Sequence, residues 1–340
     1  MSDHHDQPDD HNDNPFEGRT YLYIRDHPAD TGAEPLASGL PFWVSPDITV
    51  IKPDGSRGSE AIANVENQVE VYVNNAGGIE AVDAYVDVFH ADPSTAFNPM
   101  TATPIGGGPL TIPGYNRRAL ILPWTPPASA AGHRCLLARV ALYIPPDTYA
   151  DGTIFDVVGD RHVSQKNLHV VQVSATSEAS FSFKIINPLP DGAAFRVNAI
   201  ELRDPAELAP LQRAIGCSAL RVAEKPLVDA SLAIGDQRLG IVSRANEGLA
   251  AIPGIREIRN LRGLPNLRRL PDIRGFPGWV PRPGKPTAVD ASFRGNEEMD
   301  AVITVGPQGA GNGDVHVVQV TQTDEQGRLR GGLTILFQYQ

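Results

Sequence analysis

Three short clusters in this sequence carry residue types capable of chemistry. His133 and Cys135 stand two apart, which places both side chains on one face of a strand. There they could serve as two metal ligands, or as a thiol beside its base. Asp160, Arg161 and His162 are consecutive and combine an acid with an imidazole, the pairing that proton transfer needs; an Asx turn leading into a strand is the plainer account of the same residues. Asp26, Asp30 and Glu34 recur four apart in a loop that also holds Pro28 and Gly32. Oxygens on such a loop are a common calcium cage, and a solvated acidic loop has the same composition. No cofactor is assigned from the sequence, and calcium in this loop is the alternative left open. G-x-S-x-G, HExxH, CxxC, a P-loop lysine motif and an EF-hand loop are absent, so no catalytic residue is assigned. The glycine-rich GNGD at 311–314 precedes a strand pattern and lacks the helix N-terminus that cradles phosphate.

The elements that must position these groups read as short strands. Gln68–Asn74 alternates Val69, Val71 and Val73 with Glu70 and Tyr72, and Ala81–Phe89 alternates Val82, Ala84, Val86 and Val88 with Asp83, Tyr85 and Asp87. The turn cluster Asn74-Asn75-Ala76-Gly77-Gly78 joins them, as an antiparallel pair with one dry and one wet face requires. Further strands are expected at Arg118–Trp124, His133–Tyr143, Leu168–Val173, Ala194–Leu202, Ala288–Phe293, Met299–Val305, Asp314–Gln322 and Gly332–Tyr339, with Phe181, Phe183 and Ile185 alternating in another. Ile105–Gly108 and Ile112–Gly114 read as loops. One helix is predicted over Pro205–Ile215, with Pro in its first turn and Gly216 just past its end. The fold class is all-β: two tandem immunoglobulin-like β-sandwiches, over 19–175 and 176–340, behind an acidic, histidine-bearing tail over 1–18 that cannot repay the entropy of ordering. His4, His5 and His11 in that tail could catch a transition metal weakly.

Composition sets the limits. The chain has 340 residues, a net charge of -11, 32 glycines, 30 prolines and two cysteines. The charge opposes nucleic acid and anionic lipid, and two cysteines exclude a disulfide scaffold or a four-thiolate zinc site. Buried free thiols are the expectation for Cys135 and Cys217, with a bridge between them as the alternative. No run of 18 apolar residues spans a membrane, and no basic-then-apolar leader opens the sequence. Residues 241–286 stand apart: nine cations against three acids give a local +6, and Leu-Pro or Phe-Pro steps recur at Leu264-Pro265, Leu270-Pro271 and Phe276-Pro277. Arg256, Arg259, Arg262, Arg268, Arg269, Arg274 and Trp279 are the candidate partner-binding residues of this basic insertion. The order of occupants is domain cover or subunit contact, then an acidic protein partner, with nucleic acid last.

The runs NQVEVYVNNAGGIEAVDAYVDVFHADP, IGGGPLTIPG, LPWTPPASAAGHRCLLARV and GDRHVSQKNLHVV give the first half a further character. Over about residues 20–175 it resembles the immunoglobulin-like CARDB class of bacterial adhesion-related domains, with Trp124, Pro126, Gly132, His133, Cys135, Asp160, Gln165 and Asn167 on the matching outline. The resemblance implies an accessory module for adhesion or spacing, placed outside the cell or at its surface. Without it the absence of a leader would suggest the cytoplasm. The resemblance also places His133 and Cys135 in the sandwich core or at its rim. The expected function is that of a non-catalytic binding or assembly module with a protein partner or self-association. Its rivals are an accessory subunit of an enzyme and a structural subunit of a polymer or injection-type device. Asp160 and His162 gathered with His133 around one pocket would favour the enzyme.

Overall fold

A computed structural model describes residues 15–37, 40–127, 134–215, 220–227, 229–244, 288–308 and 310–340. The N-terminal tail to residue 14, His133, Cys217 and nearly all of the basic insertion, including its seven candidate partner-binding residues, lie outside the described residues.

The chain forms two stacked pairs of sheets, the all-β sandwich architecture that the alternation requires. In the first sandwich, β4 (Asn67–Asn75) pairs with β7 (Asn116–Trp124) on one edge and with β1 (Leu22–Tyr23) and β2 (Ile48–Ile51) on the other, and β3 (Arg57–Gly58) follows β2. The facing sheet runs from β6 (Thr103–Ile112) through β5 (Ala81–Ala91) to β8 (Cys135–Leu142), whose far edge takes β9 (Asp147–Thr148) and β10 (Val163–Lys166). Between the sheets Val69, Val71, Val73, Ala84, Val86, Val88, Leu136, Ala138 and Val140 make a dry core.

Local sequence explains where this differs from simple alternation. Val82, expected inside, is 54% exposed. A register shift between Ala81 and Ala84, with Asp83 at φ 57°, marks a bulge that turns Ala81 inward and Val82 out. Glu70, expected on the wet face, is buried and ion-paired with Arg57. Ile105–Gly108, expected as a loop, lies within strand β6, whereas Pro113 and Gly114 do fall in the turn to β7. A Cβ at Gly107 would stand 2.7 Å from the Val86 carbonyl oxygen and 2.9 Å from the Tyr85 ring, so the glycine lets two backbones approach closely.

The second sandwich places β12 (Ala179–Ile186), β18 (Glu298–Val305), β14 (Ala230–Ile234) and β15 (Gln237–Gly240) in one sheet. The other sheet holds β11 (Leu168–Val173), β20 (Leu329–Tyr339), β19 (Val315–Asp324) and β13 (Ala193–Leu202), with β16 (Val242–Arg244) and β17 (Ala288–Phe293) sharing the last edge of β13. The basic insertion therefore leaves and returns at one sheet edge. β11 falls inside the 19–175 segment by sequence, yet it pairs in parallel with β20, Leu168 opposite Thr334 through Val173 opposite Tyr339. Pairing thus passes from the first sandwich to the second between Lys166 and Leu168. Alternation fixes which face of a strand is dry but not which strand it joins.

A third core locks the two sandwiches together. Helix α1 (Pro205–Ile215) buries Leu208, Leu211 and Ala214 against Phe42, Trp43, Phe89, Cys135, Leu137, Val317 and Leu336, which come from both halves. The lead-in of residues 24–45 runs beside β10 as a strap: Ile24 N donates to Arg161 O, Ser45 N to Gln165 O, and Asn167 N to Trp43 O. Trp43, in the lead-in before β2, is 1% exposed and donates Nε1–H to Thr334 Oγ1 at 2.9 Å. No helix among the described residues is long and apolar enough to cross a membrane.

Candidate functional site

The densest set of polar chemistry stands at the end of the first sandwich remote from the second. The 160–162 loop enters β10, Asp147 opens β9, β1 brings Leu22 alongside and the lead-in brings Glu34. His162 Nδ1 lies 2.7 Å from Asp160 Oδ1, and its Nε2 lies 2.9 Å from Asp147 Oδ1. Arg161 bonds Glu34 Oε2 at 2.5 Å and Asp147 Oδ1 at 2.7 Å, and its guanidinium stacks 4.1 Å from the Tyr21 ring centroid. Backbone N–H groups complete the set: Leu22 donates to Asp147, and Ala150 and His162 donate to Asp160. An open cleft of about 410 Å³ lies over Glu34, Pro146, Asp147, Asp160, Arg161 and His162.

Burial opposes charge on His162, but hydrogen bonds to Asp147 and Asp160 outweigh it and hold the imidazolium above its ordinary range. Burial would likewise raise both carboxyls, yet His162 and the backbone donors hold Asp147 and Asp160 below theirs. Both imidazole nitrogens are therefore engaged, and the group is an ion-paired clamp on three segments. The raised His162 contributes fully below its unfolded value near 6.5 and loses that contribution as pH rises through the higher folded value. The lowered carboxylates contribute above their unfolded value near 3.8 and lose it as pH falls. His162→Gln should therefore cost most between these limits, about 2–3 kcal/mol at pH 6. Paired thermal melts from pH 4 to 9 check this, with the wild-type advantage shrinking toward both ends.

The structure regroups the residues expected to bind calcium. Asp26 and Asp30 stay together, Asp26 N donating to Asp30 Oδ2 at 3.0 Å, both buried. Burial pushes the Asp26 carboxyl well above the usual range, against hydrogen bonds from Ser164 and the Gln165 backbone, and a neutral carboxyl is a weak cation ligand. Glu34 is drawn instead to Arg161 and converges with Asp160 and His162, their ligand atoms within 4.8 Å of one another. That trio could hold a metal only by giving up the His162–Asp160 and Arg161–Glu34 bonds. Two of its members were legible as a cluster; Glu34 arrives from 127 residues away.

Cys135 meets groups that sequence reasoning missed. Its Sγ lies 2.6 Å from Asn167 Oδ1 and 3.7 Å from His169 Nε2, and Asn167 Oδ1 also accepts from His169 Nε2 at 2.8 Å. The composition matches a Cys–His–Asn catalytic set, but the asparagine sits between thiol and imidazole on the same ring nitrogen. An orienting partner would have to bind the opposite one. All three are fully buried, and burial drives the thiol far above its usual range, away from the thiolate that attacks. Cys135 is a free thiol, as expected.

Between the sandwiches lies a groove of about 650 Å³ walled by Leu36, Leu40, Phe42, Val158 and Leu329, with Arg328 and Arg330 at its polar side. Both arginines bond the same Asp324 carboxylate oxygen at 2.8 Å.

No family model matches the chain, and no curated protein matches it. Among solved structures, the chain is similar to the CARDB domain of a Pyrococcus furiosus protein, crystallised in complex with di-metal ions. The two share 18% identity over 35% of this chain and 88% of that one, with a TM-score of 0.23. The solution structure of that domain gives 20% identity over 37% and 94%, with a TM-score of 0.24. The CFA/I adhesin CfaE of enterotoxigenic E. coli covers 95% of this chain and 94% of its own at 7% identity and a TM-score of 0.22. These likenesses concern the fold alone.

Proposed function

We propose that the chain is a non-catalytic binding or assembly module, in which two sandwiches fixed as one body present loops and the basic insertion to a protein partner. One observation supports the reading most: the groups best suited to chemistry are engaged in holding the fold. His162 has a carboxylate on each nitrogen, and Cys135 is buried as a neutral thiol. The shared core around Trp43 and α1 suits a rigid spacer, because a large apolar junction resists hinge motion. Arg262, Arg268, Arg269 and Arg274 supply the charge by which the insertion would engage an acidic protein surface. Reversing these four to Glu should abolish partner capture in an affinity pull-down while the thermal melt stays unchanged. Capture that survives the reversal removes the insertion from the contact. Turnover abolished by His162→Gln or Cys135→Ala in a folded protein would replace this reading with an enzyme.

A further inference from the structure

Every large hydrophobic side chain that is exposed among the described residues, from Ile62 to Ile144, belongs to the first sandwich. Five of them gather at its free end. β8 runs about 25 Å from Cys135, at the junction with the second sandwich, to Leu142. The turn beyond Leu142 presents Tyr143, 65% exposed, and Ile144, 88% exposed, followed by exposed Pro145 and Pro146. Tyr85 pairs with Ala141 across β5 and β8, so the bulged start of β5 brings Val82 beside that turn. The β4–β5 and β6–β7 turns adjoin: Tyr115 N donates to Gly77 O at 2.9 Å, which sets exposed Ile79 and Tyr115 on the same end. Directly behind, the His162 clamp ties Asp147, Arg161 and the lead-in together. The tip is thereby preorganised, and little ordering is needed when it is covered.

An apolar tip of this kind marks a contact, and the charges around it indicate with what. Exposed Glu17, Glu80 and Asp83 are matched by exposed Arg19, Arg117 and Arg118. On a chain of -11 the tip is locally balanced, so it neither attracts an anionic lipid surface nor repels its own copy. A surface that carries both signs beside an apolar centre is self-complementary under a two-fold axis, because each acidic set then meets the other copy's arginines. We infer that a second copy of this chain docks here, tip to tip, through Tyr143, Ile144, Val82, Ile79 and Tyr115. The inference deepens the proposed assembly role and rests on that reading.

Sedimentation equilibrium of the full chain over a concentration series tests it. Wild type should show a monomer–dimer equilibrium. Ile144→Asp and Tyr143→Ser, both at exposed positions, should each weaken it at least about tenfold, or about 1.4 kcal/mol, with unchanged melting. Glu17→Arg with Glu80→Arg, and Arg117→Glu with Arg118→Glu, should each be monomeric alone and should dimerise when mixed, since the mixture restores both symmetric contacts. A wild type that stays monomeric throughout, dimers that ignore the tip substitutions, or charge variants that fail to rescue each other would overturn it. So would a monomer that instead binds phosphatidylserine vesicles through Ile144. The insertion and the tip fail separately: partner capture lost in the four-arginine reversal with the dimer intact supports the insertion alone, and a tip-dependent dimer with capture unaffected supports the tip alone.

Discussion

Asn167→Ala should destabilise the protein by about 3–4 kcal/mol, read as a lower denaturation midpoint at an unchanged slope. Asn167 stands between β10 and β11, where the chain leaves the first sandwich for the second, and it is fully buried. Its Nδ2 donates to Ser94 O at 2.6 Å and to Gly332 O at 2.8 Å, while Oδ1 meets Cys135 Sγ and His169 Nε2. Alanine removes all four bonds at once in a site where the remaining partners stay dry, and each orphaned buried group costs about 1–3 kcal/mol. The backbone bonds of the residue, to Trp43 O and from Thr334 N, should persist. Asn167→Asp keeps the acceptor but loses both donors and sets a carboxylate against two carbonyls, so it should be at least as damaging. A loss under about 1 kcal/mol for Asn167→Ala would mean that its side-chain bonds add little to the apolar core and the other polar contacts of the junction.

Much of this architecture was legible because the strands carry their faces in their spelling. Val69, Val71 and Val73 are buried as their alternation requires, the strands expected over Asp314–Gln322 and Gly332–Tyr339 pair as neighbours, and Pro205–Ile215 is the helix. What stayed hidden depends on groups far apart in sequence. Nothing near Leu168 announces β20 as its partner. Asp160, Arg161 and His162 read as a cluster, but the clamp also needs Asp147 and Glu34, delivered by the β9 edge and the lead-in. The even spacing of Asp26, Asp30 and Glu34 suggested one cage, whereas Arg161 pulls the third away from the first two. β6 was hidden for a different reason: Gly106, Gly107 and Gly108 have turn chemistry, and only the close approach of β5 to Gly107 shows why a strand needs a glycine there.

Lys166 leads to the other large effect. It is fully buried at the end of β10, with Nζ donating at 2.7 Å to Ile48 O of β2 and at 2.7 Å to Ala214 O in the last turn of α1. It thus ties the first sandwich to the helix that seals the junction and caps one carbonyl, Ala214 O, in the last turn of that helix. Burial depresses the amine to about 7 from its ordinary 10.5, with Asp47 raising and Arg57 lowering it. The direction of the pH effect follows. Below about 7 both folded and unfolded chains carry the proton, and the folded state bears the full cost of a buried ammonium. Between about 7 and 10.5 the unfolded chain binds the proton more tightly, so stability contributed at this site climbs with pH. Lys166→Met preserves the aliphatic stem, leaves the two carbonyls unpaired and removes this titration. Urea melts of both proteins at pH 7, 8, 9 and 10 should show wild type gaining on the variant by about 3–5 kcal/mol across the series. All other titrations cancel in the difference, so a gap that stays flat would mean the ammonium is well solvated in the fold. A gap that closes with rising pH would mean that the carbonyls of Ile48 and Ala214 bind the charged amine more strongly than water does.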